Sequence, residues 1–250
     1  MDIKLYGRDP RTVAREISGI FDSIFPYLIP GIVSNINKLC EPMPGLEKVP
    51  ERYWMESKLQ KAMLFEITLT HTESKLEEEI FPGWEEIIER AIKKQKFYYD
   101  AQSPKSISHA DKLIIELVSQ NLIKALDQYA RKKQKTLKEI TIKPKIPGFS
   151  WIASGAGDFS LGNDLIEVKC SSKNFSSADY RQVLMYWLLS YLNAIEKDGN
   201  EWEICTLINP RLNTFLEISF DELIEITSPL GSKIELIENF RATIDLETHN

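Results

Sequence analysis

Between Asp164 and Ile218 the chain reads as one strand, a long apolar helix and two more strands, and this order limits its possible folds more than any other feature. Asp164 to Cys170 alternates with Ile166 and Val168 on one side, as a core strand requires. Ser177 to Ile195 carries Val183, Leu184, Met185, Trp187, Leu188 and Leu189 at helical density, with Ser176 or Ser177 as its cap. Glu203 to Ile208 and Thr214 to Ile218 read as strands again, and a helical tail follows. Strands on both sides of a greasy helix predict an α/β layer with a mixed sheet.

Upstream, Glu139 to Lys143 and Trp151 to Ser160 are two further predicted strands. Ser108 with Asp111 three residues on is a capping-box signature for a helix from His109 to Ala130. Residues 1–105 read as helices and loops: Arg11 to Phe25, ended by Pro26; a break at Pro42 to Pro50; Arg52 to Phe65; and Trp84 to Tyr98 after Pro82-Gly83. The expected organisation is an α-helical N-terminal region, 1–105, structural or partner-binding, followed by an α/β domain, 106–250. With 250 residues, 43% of them hydrophobic, the chain can bury a real core, which excludes whole-chain disorder.

Cys40, Cys170 and Cys205 are odd in number and widely spaced, which argues against structural zinc and a disulfide framework and for a reducing compartment. The most apolar stretch, Ile24 to Val33, contains Pro26, Pro30 and Gly31 and is far shorter than the roughly 20 residues that span a bilayer. A soluble, cytoplasmic protein without a membrane partner is expected.

The chemistry concentrates in residues 154–169. On a strand Glu167 and Lys169 share a face, and a tight turn near Gly162 would bring Asp158 beside Glu167. Two carboxylates and one ammonium on adjacent strands suit a hard divalent cation and a water, Mg²⁺ or Mn²⁺ above all. E-x-K also occurs at Glu56/Lys58 and Glu73/Lys75, in segments where the spacing does not align the side chains. Gln182 and Tyr186, four residues apart on an otherwise apolar helix, form a polar pair that needs partners. The same spacing recurs at Gln95 and Tyr99.

Other chemistries find little support. The glycines between 155 and 162 lack the Lys-Ser/Thr of a phosphate loop and the third glycine of a dinucleotide site, and no G-x-S-x-G elbow exists. His71, His109 and His249 are scattered and read as surface residues, and the five tryptophans as core packing. The net charge of −6 conceals a partition, because residues 91–145 hold 13 basic and 5 acidic side chains. Arg131, Lys132, Lys133 and Lys135 are the candidate nucleic-acid contacts within that stretch.

Taken in order, Gly155-x-x-Asp158, Glu167-x-Lys169, Gln182-x-x-x-Tyr186 and a strand ending Ile208-Asn209-Pro210 resemble the PD-(D/E)XK nuclease superfamily, in its RecB-like and lambda-exonuclease-like branch. The resemblance covers about residues 106–220 and implies a restriction-endonuclease-like fold, a mixed central sheet flanked by helices. It implies Asp158, Glu167 and the Val168 carbonyl as ligands of Mg²⁺ or Mn²⁺. Lys169 would position the attacking water, and Gln182 and Tyr186 would steady the site. Glu116, on the helix before the sheet, is the candidate for the additional glutamate of such families. The implied activity is divalent-metal-dependent hydrolysis of DNA, with RNA less favoured, in a prokaryotic phage-defence, restriction or repair setting. The N-terminal region would dock a helicase, an ATPase or a second copy. A non-cleaving nucleic-acid-binding or scaffolding subunit of a helicase or ATPase complex is the alternative.

Overall fold

The computed structural model describes residues 7–78, 80–95, 104, 106–197 and 199–248. The helices in the first part are α1 (Pro10–Glu16), α2 (Ser18–Ile24), α3 (Pro30–Ile36), α4 (Glu51–Glu56), α5 (Lys61–Glu77) and α6 (Trp84–Gln95). α7 (His109–Lys132) then leads through a 3₁₀ turn at Leu137–Glu139 into the strands β1 (Thr141–Ile142), β2 (Lys145–Ile146), β3 (Gly155–Ala156), β4 (Phe159–Leu161) and β5 (Asp164–Val168). α8 (Ser177–Lys197) crosses to β6 (Ile204–Asn209), and β7 (Thr214–Ser219), α9 (Phe220–Thr227) and α10 (Lys233–Thr248) follow.

The sheet has five strands in the order β1-β4-β5-β6-β7. Only β5 and β6 run parallel, joined by the α8 crossover, so the sheet is mixed. The α/β layer expected from the strand–helix–strand order is therefore present. Alternation along β5 assigns its two faces. Ile166 and Val168 enter a core with Leu122, Leu126 and Tyr129 of α7, whereas Leu165 enters one with Val183, Leu184 and Leu188 of α8. The turn between β4 and β5 is the two-residue kind, and Gly162 at φ +61 takes the positive angle its first position demands.

Three predicted segments differ in the structure, each for a local reason. The helix expected over Arg11 to Phe25 breaks at Ile17, whose φ −107 and ψ 78 are not helical, and becomes α1 and α2. The one expected over Arg52 to Phe65 opens at Ser57, whose hydroxyl donates to Asp111 Oδ1 at the start of α7 (2.6 Å). The strand expected over Trp151 to Ser160 is two short strands, because the chain changes partner. β3 pairs with β2 in a separate two-stranded sheet, then β4 joins the main sheet. At the switch the Gly157 amide donates to the Pro144 carbonyl, and a Cβ at Gly157 would lie 3.1 Å from Leu165 Cδ1.

The change of sequence pattern near residue 105 does not separate two cores. Val13, Ile20, Phe21 and Ile24 lie in the same buried cluster as α8 and Phe240 of α10. Met63, Leu64 and Ile67 of α5 pack on Ile114, Ile115 and Val118 of α7. The Ser108–Asp111 capping box is formed as predicted, with both hydrogen bonds present. Among the described residues no helix is long and apolar enough to cross a membrane.

Candidate functional site

The β4–β5 register places Phe159 opposite Ile166, so the next position outward brings Asp158 beside Glu167, as the tight turn predicts. Asp158 ends the ladder with its side chain: Oδ2 accepts the Val168 amide at 2.8 Å. The amide that a longer ladder would aim at the Val168 carbonyl, that of Gly157, goes to Pro144 instead. The Val168 carbonyl thus sits where the ladder stops, on the residue whose amide Asp158 accepts and that follows Glu167.

Glu167 is 1% exposed and is held from the helix side. Gln182 Nε2 donates to Glu167 Oε2 (2.9 Å) and to the Tyr186 hydroxyl oxygen (3.0 Å), while Gln182 Oε1 accepts from Lys169 Nζ (2.9 Å). The helix spacing of four thus supplies the buried polar pair with partners from the strand. Lys169 Nζ also stands 3.9 Å from Glu167 Oε2 and 4.0 Å from Asp179 Oδ1. Burial holds the Glu167 carboxyl well above its usual range, the neighbouring Asp158 carboxyl raises it further, and the charges of Lys169 and Arg11 oppose both. Burial likewise raises the Tyr186 phenol, with the nearby Glu167 and Asp158 adding to it.

Glu116 is not brought to these groups. It lies about 200° around α7 from Ile114 and from Val118, at roughly 100° per residue, and both of those are buried against α5 and α6. No described hydrogen bond or ion pair involves it, and it is absent from the charges that act on Glu167. The carboxyl group that does share its surroundings with Asp158 is Glu66 on α5. Burial raises it first of all, and among its neighbouring charges are Lys94, Glu73, Lys143 and Asp158. Arg11 on α1 is a second residue that sequence reasoning missed. Asp179 is a third, and it carried a legible signal. Ser176-x-x-Asp179 has the spacing of a capping box, and Asp179 Oδ2 accepts from the Ser176 amide and hydroxyl, which leaves Oδ1 toward Lys169.

The basic stretch also lies elsewhere. Lys132 and Lys133 pair with Glu217 on β7 (2.5 and 3.1 Å), Lys133 also with Asp164 (2.9 Å), and Arg131 with Asp127 of its own helix (2.9 Å). Lys135 lies over the β4–β5 turn, its Nζ 3.2 Å from where a Cβ on Gly162 would stand. Asp164 opens β5 on the α7 face, whereas Glu167 is three residues on, about 10 Å along the strand, on the α8 face. The structure therefore does not join Arg131, Lys132, Lys133 and Lys135 to the carboxylate pair.

His71, read from sequence as a surface residue, is 1% exposed. Its Nδ1 lies 2.9 Å from Ser119 Oγ, and its ring stacks on Trp84 with centroids 5.2 Å apart. Burial, seconded by Lys75, pushes it down to about 4, so the ring is neutral at pH 7. His109 is exposed, Gln95 is the last residue of α6, and His249 and Tyr99 lie outside the described residues.

Among the described residues no three His, Cys, Asp or Glu side chains are grouped so as to hold a metal ion. Two adjacent carboxyl groups and a main-chain carbonyl still fit Mg²⁺, which is commonly held by one or two carboxylates with substrate phosphate and water completing its shell. No protein-family model, curated protein or solved structure matches the chain.

Proposed function

We propose that this chain is a divalent-metal-dependent nuclease of the PD-(D/E)XK kind, with a restriction-endonuclease-like core, that hydrolyses phosphodiester bonds of DNA. The observation that carries the reading is the closed network Asp158–Glu167–Gln182–Lys169. A purely structural ion pair on a strand would not need a second carboxyl group within hydrogen-bonding reach of a fully buried glutamate. Asp158, Glu167 and the Val168 carbonyl would hold Mg²⁺ or Mn²⁺, and Glu66 is the nearby candidate to support them. The bound cation would supply Lewis-acid polarisation of the phosphate and a more acidic water.

The chain's own residues would do the rest. Lys169, fixed between Gln182 Oε1 and Asp179, keeps an ammonium at the mouth of the carboxyl pair, where it orients a water and offsets charge that grows on the phosphate. Gln182 orients both Lys169 and Glu167, and Tyr186 orients Gln182. The partner of such an enzyme would be a helicase, an ATPase or a second copy. A non-cleaving nucleic-acid-binding subunit is the second reading, favoured by the near-complete burial of Glu167.

Purified protein incubated with supercoiled, linear and single-stranded DNA in Mg²⁺ or Mn²⁺ separates the two. The nuclease reading expects cleavage that falls at least a hundredfold in Asp158→Asn and Lys169→Met while both variants stay folded. Undiminished cleavage by Lys169→Met, or none by the wild type on any substrate, overturns it.

A further inference from the structure

A second charged cluster adjoins Asp158 and has no part in that mechanism. Glu73 of α5 receives two ammonium groups on one oxygen: Lys94 of α6 and Lys143, in the corner between β1 and β2, each stand 2.7 Å from its Oε2. Lys94 also donates to Thr70 Oγ1 (2.8 Å) and lies 3.6 Å from Glu66 Oε1. The Lys143 amide donates to the Asp158 carbonyl at 3.0 Å, so this corner is fastened to the residue proposed to bind metal.

We infer that Lys143 and Lys94 form a phosphate-binding subsite that holds the backbone of a nucleic-acid strand beside the Asp158–Glu167 pair. The position of the scissile bond in this inference rests on the nuclease reading; the subsite itself rests on three observations. The first is stoichiometry. Two cations that converge on one carboxylate oxygen repel each other, and while Lys94 also has Glu66 at 3.6 Å, the described ion pairs give Lys143 only the Glu73 oxygen it shares with Lys94.

The second is access. The Lys143 side chain is 46% exposed while Glu73 beneath it is 12% exposed, so an incoming phosphate reaches the lysine without displacing the carboxylate. The third is the backbone. Lys143 sits at φ +54, a left-handed conformation that costs a residue with a Cβ roughly 1 kcal/mol and that glycine or asparagine adopts more readily. The amide contact to Asp158 requires no side chain at all, so a lysine there answers a demand for the ammonium. Lys132 and Lys133, paired with Glu217 and Asp164, stand at the far end of β5, away from Asp158.

The experiment titrates the full-length chain against labelled DNA and RNA oligonucleotides of one sequence by fluorescence anisotropy, with Ca²⁺ in place of Mg²⁺, at four salt concentrations. Lys143→Asn keeps the backbone angle comfortable and removes the charge; Lys94→Ala is the second variant and Lys132→Ala the control. Lys143→Asn is expected to weaken binding roughly tenfold at low salt and to lower the slope of log Kd against log salt by about 0.9 on duplex DNA or 0.7 on a single strand. The melting temperature should stay near wild type, and Lys132→Ala should bind normally. In cleavage assays KM should rise with kcat nearly unchanged. Wild-type affinity and slope in Lys143→Asn, or no salt-dependent binding by the wild type, overturns the subsite. Binding with the expected slope change but no cleavage in Mg²⁺ or Mn²⁺ leaves the subsite standing and removes the nuclease. Equal effects on both oligonucleotides are expected of a contact to phosphate alone, and an effect confined to DNA overturns it.

Discussion

Gln182→Met tests whether the four-residue network is a unit. Methionine nearly keeps the volume of a side chain that is 2% exposed, so the change is chiefly the loss of three hydrogen bonds. Two of these reach ionisable partners, the Lys169 ammonium and the Glu167 carboxyl, and are worth about 1.5–3 kcal/mol each when the partner is charged. The third, to the Tyr186 hydroxyl, is worth about 1 kcal/mol. Lys169 retains Glu167 at 3.9 Å and Asp179 at 4.0 Å, and the methionine gains apolar burial, which together offset part of the loss. The expected destabilisation is therefore about 2–4 kcal/mol, read as a lower urea midpoint at unchanged slope.

The sharper readout is a double-mutant cycle with Lys169→Met. If Gln182 and Lys169 form one unit, the coupling between the two changes is at least about 1 kcal/mol, because the second substitution has no bond left to break. Additive effects within about 0.3 kcal/mol refute the reasoning: Gln182 would then be a tolerated polar residue and not the residue that fixes Lys169. A nuclease rate that falls in Gln182→Met as far as in Lys169→Met would extend the same argument from stability to chemistry.

Three further outcomes follow from the same geometry. His71 is neutral in the fold, with its ordinary value of 6.5 pushed down to about 4, so the unfolded chain takes up its proton first as pH falls. Stability is full above 6.5 and declines toward pH 4 by about 3 kcal/mol at 1.36 kcal/mol per pH unit, and His71→Gln should flatten urea midpoints measured between pH 7 and 4.5. A Cβ at Gly155 would stand 2.9 Å from Pro10 Cδ; Gly155→Ala should therefore cost about 1–3 kcal/mol, and Pro10→Ala in the same chain should recover part of it in thermal melts. Glu66→Gln should weaken Mn²⁺ binding by calorimetry severalfold while Glu116→Gln leaves it unchanged, and the opposite ranking would restore Glu116 to the site.

What could be read in advance divides by the range of the cause. The strand–helix–strand order, the Ser108 cap and the β4–β5 turn depend on periodicity and on residues a few positions apart, so Asp158 beside Glu167 and the Gln182–Tyr186 pair were legible. The split of the Trp151–Ser160 segment was not, since Gly157 changes partner only because Pro144 and Leu165 lie against it. Glu116 illustrates the limit of helix position alone: it lies about 200° around α7 from Ile114 and Val118, and no described hydrogen bond or ion pair ties it to the carboxyl pair. Glu66 was hidden for a related reason. α5 buries Thr68, Thr70, His71, Thr72, Glu73 and Ser74, a polar run that amphipathic patterning reads as exposed. Those residues are tolerated in the interior because they meet Ser119, Lys94 and Lys143.

On the proposed nuclease reading, the same burial would let an acidic chain approach a polyanion. Around the β5 end Asp158, Glu167, Asp179, Glu66 and Glu73 face Arg11, Lys94, Lys143 and Lys169, so carboxyl groups and cations nearly cancel. Such a site exerts little pull on phosphate by itself. A divalent cation between Asp158 and Glu167 would reverse the local sign and oppose the upward pull of burial on the Glu167 carboxyl. Metal and nucleic acid would then bind as linked events, each raising the affinity for the other by the same factor. The net charge of −6 is compatible with that linkage, because the acidic side chains of residues 46–90 that reach the site, Glu66 and Glu73, stand against Lys94 and Lys143.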